Sequence, residues 1–137
     1  MNWWLLCLPR EDLERCMDVG VFGLARKGVI QKIKSGDGVV LCAGKGDWKI
    51  IAAGKSTSDY YLDDSKIFLK EGVFPDRFNF NAKKLDPERD LMEIIDKLSF
   101  VTNLAYWAVF FRTALVKMSK ADAKLLLSSK DYEALDS

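Results

Sequence analysis

Short blocks of hydrophobic and polar residues follow one another along this chain, and they predict strands and helices in mixed order. The apolar run Trp3–Leu8 has the length of a buried strand. Trp3 and Trp4 point to opposite faces of that strand, so we expect one in the core and the other partly exposed. Pro9 begins a helix, since proline is favoured in the first turn, and Gly20 ends it as a C-cap.

The middle of the chain alternates between apolar segments and turns. Residues 35–38 predict a turn, Val39–Ala43 a buried strand, residues 44–47 a hairpin tip, and Trp48–Ser58 the returning strand. Gly54 lies inside that returning strand, which indicates a bulge or the close approach of another backbone or a ligand.

The second half predicts one more long strand and three helical segments. Phe74–Lys83 alternates like a half-buried antiparallel strand. Helices are expected near residues 87–98, where Asp86 is an N-cap, over Leu104–Phe111, and near residues 119–128. Together with the first helix near residues 9–19, this pattern predicts a single α+β domain spanning residues 1–137.

Composition narrows the class of protein. The chain has 137 residues, 49% of them hydrophobic, which is enough for one substantial core. No apolar run approaches the ~20 residues of a membrane span, and residues 1–4 lack the basic start of a signal peptide. Cys7, Cys16 and Cys42 form no CxxC pair and are odd in number, so we expect reduced thiols and a cytoplasmic protein.

The absence of histidine excludes much chemistry. Ser-His-Asp and Cys-His catalysis and the mixed Cys/His zinc sites all require histidine. An enzyme would need carboxylates, and Asp59, Asp63 and Asp64 are candidates to hold Mg²⁺ for phosphodiester cleavage. No lysine-bearing segment with nuclease spacing accompanies them. We therefore expect a protein that is not an enzyme and carries no cofactor or metal.

The net charge of +1 hides an uneven distribution along the chain. Seven basic residues lie between Leu24 and Lys55, and five acidic residues lie between Asp86 and Asp96. These segments are either two ordinary solvated faces or, for the basic one, a local patch that holds a phosphate backbone.

A series of segments, in this order along the chain, is similar to the EVE domain, a branch of the PUA-like superfamily that also contains the YTH readers of methylated RNA. The segments are residues 2–6, Val21-Phe22-Gly23-Leu24, residues 32–40, residues 58–68, Phe74-Pro75-Asp76-Arg77-Phe78, and residues 97–103 with Trp107 and Asp122. The resemblance implies a PUA-like pseudobarrel, built on a mixed, mainly antiparallel sheet with flanking helices. It also implies a pocket that captures a modified base of DNA or RNA.

The resemblance implies particular residues for that pocket. Phe22 occupies the position of an aromatic wall after the first helix, and Phe68 is the candidate for the opposite wall. The edge of the base would meet the backbone of Gly23 and Leu24 and the side chains of Ser58 or Asp64.

Basic residues would bind the phosphates beside the pocket: Arg26, Lys27, Lys32, Lys34 and Arg77. Arg77 has the alternative of pairing with Asp76 or Glu71. The alternative function is a protein-interaction domain without a nucleic-acid ligand, which an exposed Phe110-Phe111 pair would favour.

Overall fold

The computed structural model describes residues 1–68 and 72–136, and its framework is a curled sheet of seven strands. The strands are β1 (Trp3–Leu8), β2 (Val21–Leu24), β3 (Gly38–Ala43), β4 (Lys49–Ser56), β5 (Tyr61–Leu62), β6 (Asp76–Asp90) and β7 (Leu115–Met118). The α-helices are α1 (Arg10–Val19), α2 (Lys120–Leu126) and α3 (Ser129–Asp136). Short 3₁₀ segments cover Val29–Lys32, Leu91–Glu93, Ile95–Lys97 and Leu104–Phe111.

The sheet is mixed and mainly antiparallel, as predicted. Its order is β2-β6-β4-β3-β1-β7, and β5 also pairs with β6. Among these pairings β1 and β3 run parallel and the others antiparallel. The first residues of β6 pair with β2 and β5 and the later ones with β4, so this strand curls the sheet into a half-barrel.

Both faces of β1 are covered. Trp3, Leu5 and Cys7 belong to a core shared with α2, α3 and the later 3₁₀ segments. Trp4 and Leu6 point the other way, into a second core shared with α1 and β2. Trp3 is 1% exposed and Trp4 is 0% exposed. The prediction that one of them is partly exposed is therefore wrong, because helices pack against both sides of this central strand.

Two of the predicted helices are confirmed. Helix α1 follows Pro9 and ends at Gly20, whose φ of 70° is the left-handed conformation that favours glycine. Helix α2 begins after Ser119, whose hydroxyl accepts a hydrogen bond from the Asp122 backbone N–H. Helix α3, which follows directly, was not predicted.

The helix predicted near residues 87–98 is wrong in its first part. Strand β6 continues to Asp90, and two 3₁₀ segments follow it. Lys49 and Asp90 are partners across β4 and β6, with 3.4 Å between Nζ and Oδ2. This pairing overrides the local signal for a helix start. The apolar residues expected to point inward are nevertheless buried: Leu91, Ile94, Ile95 and Leu98.

Gly54 permits a very close approach of the β6 backbone to β4. A Cβ at this position would lie 1.7 Å from the Asn81 carbonyl oxygen of β6. The sequence prediction that Gly54 allows a close neighbour is confirmed, and the neighbour is backbone. In the described part of the chain, no helix has the length and hydrophobicity needed to cross a membrane.

Candidate functional site

A cavity of about 270 Å³ opens between α1, β2 and the segment that precedes β6. Its surface is mainly apolar. The lining residues are Leu8, Asp12, Arg15, Cys16, Gly23, Leu24, Ala25, Phe68, Phe74 and Ala114. The cavity thus contains three of the predicted pocket residues, Gly23, Leu24 and Phe68.

Two aromatic rings form one wall of the cavity. The rings of Phe68 and Phe74 meet edge to face, with centroids 5.8 Å apart and planes at 83°. Gly23 of β2 lies directly against them, since a Cβ there would be 2.7 Å from the Phe74 carbonyl oxygen and 2.9 Å from the Phe68 ring. A side chain at position 23 would therefore displace this wall, both at Phe68 and at Phe74.

Helix α1 supplies the polar side of the cavity. Asp12, Arg15 and Cys16 are spaced by three and four residues, so they lie on one face of the helix. Burial raises the pKa of the Cys16 thiol to about 12, and the thiol therefore stays neutral. The carboxylate of Asp12 offers a hydrogen-bond acceptor and the guanidinium of Arg15 offers donors. Sequence reasoning missed these residues, although their helical spacing beside an apolar stripe could have identified them.

Arg15 also holds the segment that carries Phe68. Its Nε donates a hydrogen bond to the Ile67 carbonyl oxygen at 2.9 Å. This contact links α1 to the residue next to the aromatic wall.

Phe22 is not a wall of the cavity, which corrects the prediction. Phe22 is 0% exposed and packs against Phe78 of β6, with ring centroids 5.5 Å apart. Gly23 and Leu24 of the same strand line the cavity, whereas the Phe22 ring lies in the core beside Phe78 and Phe80. Phe74 is the aromatic residue that faces Phe68 instead.

Arg77 is not available to phosphate, which corrects a second prediction. Its side chain is 1% exposed, and it donates hydrogen bonds to Ser65, Val73 and Phe74. Its guanidinium also lies 3.4 Å from a carboxylate oxygen of Asp63. The sequence predicts Asp76 or Glu71 as alternative partners. None of these contacts involves Asp76, and Glu71 lies outside the described residues.

Ser58 and Asp64 do not line the cavity. The Ser58 hydroxyl accepts a hydrogen bond from the Asn79 backbone N–H at 2.9 Å and donates to the Asp59 carbonyl oxygen at 2.8 Å. Asp64 is exposed on the loop after β5. The structure thus uses Ser58 to fasten a loop to β6 and brings neither side chain to the predicted pocket.

Basic residues are exposed close to the cavity. Arg26 and Lys27 directly follow Ala25, which is itself part of the lining. Lys32 and Lys34 are exposed further along the same connection to β3. Their charged groups are thus in solvent, where they can meet a polyanion.

Two of the carboxylates considered for magnesium, Asp59 and Asp63, take part in separate hydrogen bonds. Asp59 accepts a hydrogen bond from the Ser35 backbone N–H at 2.9 Å. Hydrogen bonds from Ser65 lower the pKa of Asp63. Within residues 1–68 and 72–136, no group of three or more Cys, Asp or Glu side chains is arranged to hold a metal ion.

Comparison with known proteins establishes the fold. No protein-family model matches the chain, and no curated protein matches it. The NMR structure of Rpa0253 from Rhodopseudomonas palustris is similar over 92% of this chain and 90% of that one, with 12% identity and a TM-score of 0.65. The crystal structure of Atu2648 from Agrobacterium tumefaciens covers 90% and 88%, with 13% identity and a TM-score of 0.60.

The YTH domain of Mmi1 is similar over the full length of both chains, with 11% identity and a TM-score of 0.62. Likeness at such identities concerns the fold. The chain therefore has a YTH-like fold, a mixed and mainly antiparallel curled sheet with flanking helices, as the sequence resemblance implied.

Proposed function

We propose that this protein is a non-catalytic nucleic-acid-binding module of the EVE type that takes one modified base of DNA or RNA into the cavity. The observation that carries the proposal is the cavity itself, which has an aromatic wall of Phe68 and Phe74 beside the exposed Arg26 and Lys27.

The size and lining of the cavity suit a single flat heterocycle. Small-molecule sites are roughly 300–1,000 Å³ and mostly apolar with a few placed polar groups. The cavity here, at about 270 Å³, is slightly below that range, so it can take only a small ligand. A base that enters it can stack on Phe68 or Phe74 while Asp12 and Arg15 meet its polar edge.

The exposed cations supply the part of binding that is independent of sequence. When a base leaves the strand and enters a pocket, its phosphates stay outside. Arg26 and Lys27 follow the lining residue Ala25, so they can meet the nearest phosphates, and Lys32 and Lys34 can meet the next ones.

The fold supports the same function. The sequence resemblance links this fold to readers of methylated RNA, and the YTH domain of Mmi1 shares it along the whole chain. The cysteines are free and buried, which suits a reducing compartment such as the cytoplasm.

A protein-interaction domain is the second candidate, and one observation favours it. Leu104, Tyr106 and Val109 are 52%, 68% and 47% exposed on the 3₁₀ segment before β7. Exposed apolar groups in one segment are typical of partner surfaces. The Phe110-Phe111 pair expected to mark such a surface does not do so, because Phe110 is half-buried and Phe111 is 5% exposed.

Oligonucleotide binding tests the proposal. Short single-stranded RNAs and DNAs carrying a plain or a methylated base at the centre are titrated at low salt by fluorescence anisotropy. We expect Phe68→Ala to weaken binding of the preferred methylated strand by about 1–3 kcal/mol, because a stacking face is lost. Phe100→Ala is the matched control, since Phe100 is a half-buried aromatic residue in the other core.

Two results contradict the proposal. Absence of binding by the wild type to every strand at low salt favours the interaction domain. Equal weakening of plain and methylated strands by a folded Phe68→Ala protein argues against capture of a base.

A further inference from the structure

The segment between β5 and β6 carries both aromatic walls but has little structure of its own. Its described residues, 63–68 and 72–75, belong to no helix or strand. Phe68 and Phe74 can form a fixed wall only if other parts of the protein hold this segment in place.

Arg77, at the start of β6, contacts this segment at both ends. Nη1 donates to the Ser65 hydroxyl at 2.9 Å, and Nη2 donates to the Ser65 carbonyl oxygen. Nη2 also donates to the Val73 carbonyl oxygen at 2.7 Å, and Nε donates to the Phe74 carbonyl oxygen at 2.9 Å. One buried guanidinium thus fixes the chain before Phe68 and the chain at Phe74.

The contacts at Val73 and Phe74 stabilise an unfavourable backbone conformation. Phe74 has a φ of 49°, in the left-handed region that residues with a Cβ adopt at a cost in free energy. Arg77 binds the carbonyl oxygens on both sides of that residue. Backbone strain that surrounding contacts hold in place is found preferentially at ligand sites.

Arg77 also contacts one of the walls directly. Its guanidinium carbon lies 5.2 Å from the centroid of the Phe68 ring, which is a cation–π distance. Arg77 therefore contacts the Phe68 ring itself, in addition to the chain before it and the chain at Phe74.

We propose that Arg77 is a positioning residue that preorganises the aromatic wall of the cavity. The inference rests on the proposed function for what the wall binds. Arginine is required because its planar group presents five donors in fixed directions. A lysine at this position keeps the charge but cannot reach Ser65, Val73 and Phe74 together.

Arg77→Lys tests this role against a matched control. Asp122→Asn is the control, because Asp122 is likewise buried and fastens an irregular segment, through Ser99, in the other core. For both variants we measure melting temperature, hydrogen exchange of residues 62–68 and 72–76, and affinity for the oligonucleotide that the wild type prefers.

We expect Arg77→Lys to weaken binding about tenfold, because buried hydrogen bonds to a charged group are lost. Hydrogen exchange should accelerate in residues 62–68 and 72–76 and not in the sheet. Asp122→Asn should lower the melting temperature and leave affinity and this exchange unchanged. Ser65→Ala removes one exposed partner of Arg77, so it should fold and shift binding in the same direction by a smaller factor.

The outcomes separate this inference from the proposed function. Wild-type affinity in Arg77→Lys, or equal losses of affinity in Arg77→Lys and Asp122→Asn, overturns the positioning role. Should Arg77→Lys not fold, wild-type affinity and exchange in Ser65→Ala overturn it. Failure of the wild type to bind any strand overturns the proposed function, while faster local exchange in Arg77→Lys still supports a preorganised wall.

Discussion

The centre of the sheet and the rim of the cavity are built by different interactions. In the centre, strands β1, β3, β4 and β6 are held by paired backbone groups and by side chains buried on both faces. At the rim, described residues 63–68 and 72–75 belong to no helix or strand, and the side chains of Arg15 and Arg77 bind their carbonyl oxygens.

This difference indicates which substitutions should affect stability and which should affect ligand binding. Centre residues fill space that nothing else can fill, so changes there should act on the free energy of unfolding. Rim residues order a surface that the rest of the fold does not need, so changes there should act on ligand binding. Four measurements test this separation.

Gly54→Ala should cause the largest loss of stability. Its methyl carbon would lie 1.7 Å from the Asn81 carbonyl oxygen, so β4 and β6 must separate. We expect the free energy of unfolding to fall by about 5 kcal/mol or more, the exceptional range of core overpacking. Chemical denaturation measures it. Gly44→Ala, whose new carbon would lie 3.2 Å from the Cys7 sulfur, is the control and should cost much less.

Phe22→Ala should cause the next largest loss of stability, and its comparison with Phe68→Ala tests the difference between centre and rim most directly. Phe22 is fully buried against Phe78, so its truncation should lower the free energy of unfolding by about 3–5 kcal/mol. Phe68→Ala should cost clearly less, because Phe68 is only half-buried. The free energies of unfolding are measured by urea denaturation. Similar losses in the two variants would show that Phe68 contributes to stability as a core residue does.

Lys27→Ala should leave stability unchanged and alter the salt dependence of binding. Lys27 is exposed two residues beyond the lining residue Ala25. Loss of one phosphate contact should reduce the slope of log affinity against log salt concentration by about 0.7–0.9. Lys84→Ala is the control, because Lys84 is an exposed lysine on β6 that does not line the cavity. Equal slopes for both variants would remove Lys27 from the phosphate contacts.

Arg10→Met should cause only a small loss of stability, and it sets the scale for a surface contact outside both regions. Arg10 lies 2.7 Å from Asp47 and 2.6 Å from Glu88, and its hydrogen bonds lower the pKa of both carboxyls. These half-exposed pairs should contribute no more than about 1 kcal/mol at neutral pH.

The pH dependence has a definite sign. Carboxyls whose pKa is lowered in the folded state stabilise it above their unfolded values, 3.8 and 4.5 here, and lose that effect as pH falls through the lowered values. The stability difference between wild type and Arg10→Met should therefore shrink below about pH 4. A difference that is constant from pH 7 to pH 3, within about 0.2 kcal/mol, would show that lost packing, not charge, is responsible.

The location of the cavity could be predicted from sequence, but only one of the two residues of its aromatic wall could: Phe68 was predicted and Phe74 was not. The order of segments pointed to Gly23, Leu24 and Phe68, and all three line the cavity. Phe22 was assigned to the wall by its place in the order, whereas packing against Phe78 of β6 buries it in the core. Phe74 lines the cavity and has a left-handed backbone conformation, which no local pattern in the sequence predicts.

Sequence alone determined the properties that depend on neighbours along the chain. These are the buried run of β1 and the caps of α1 and α2 at Gly20 and Ser119. Period and capping chemistry act over a few residues, so they can be read directly from the order of amino acids.

Tertiary structure decided the properties that depend on distant partners. Pairing with β4 extended β6 to Asp90 against a local helix signal, and helices on both faces buried Trp3 and Trp4 alike. Arg77 looks from the sequence like a cation for phosphate, but Ser65, Val73 and Phe74 surround it with acceptors. Whether a charged side chain faces solvent or orders a loop is settled by which carbonyl oxygens the folded chain brings within its reach.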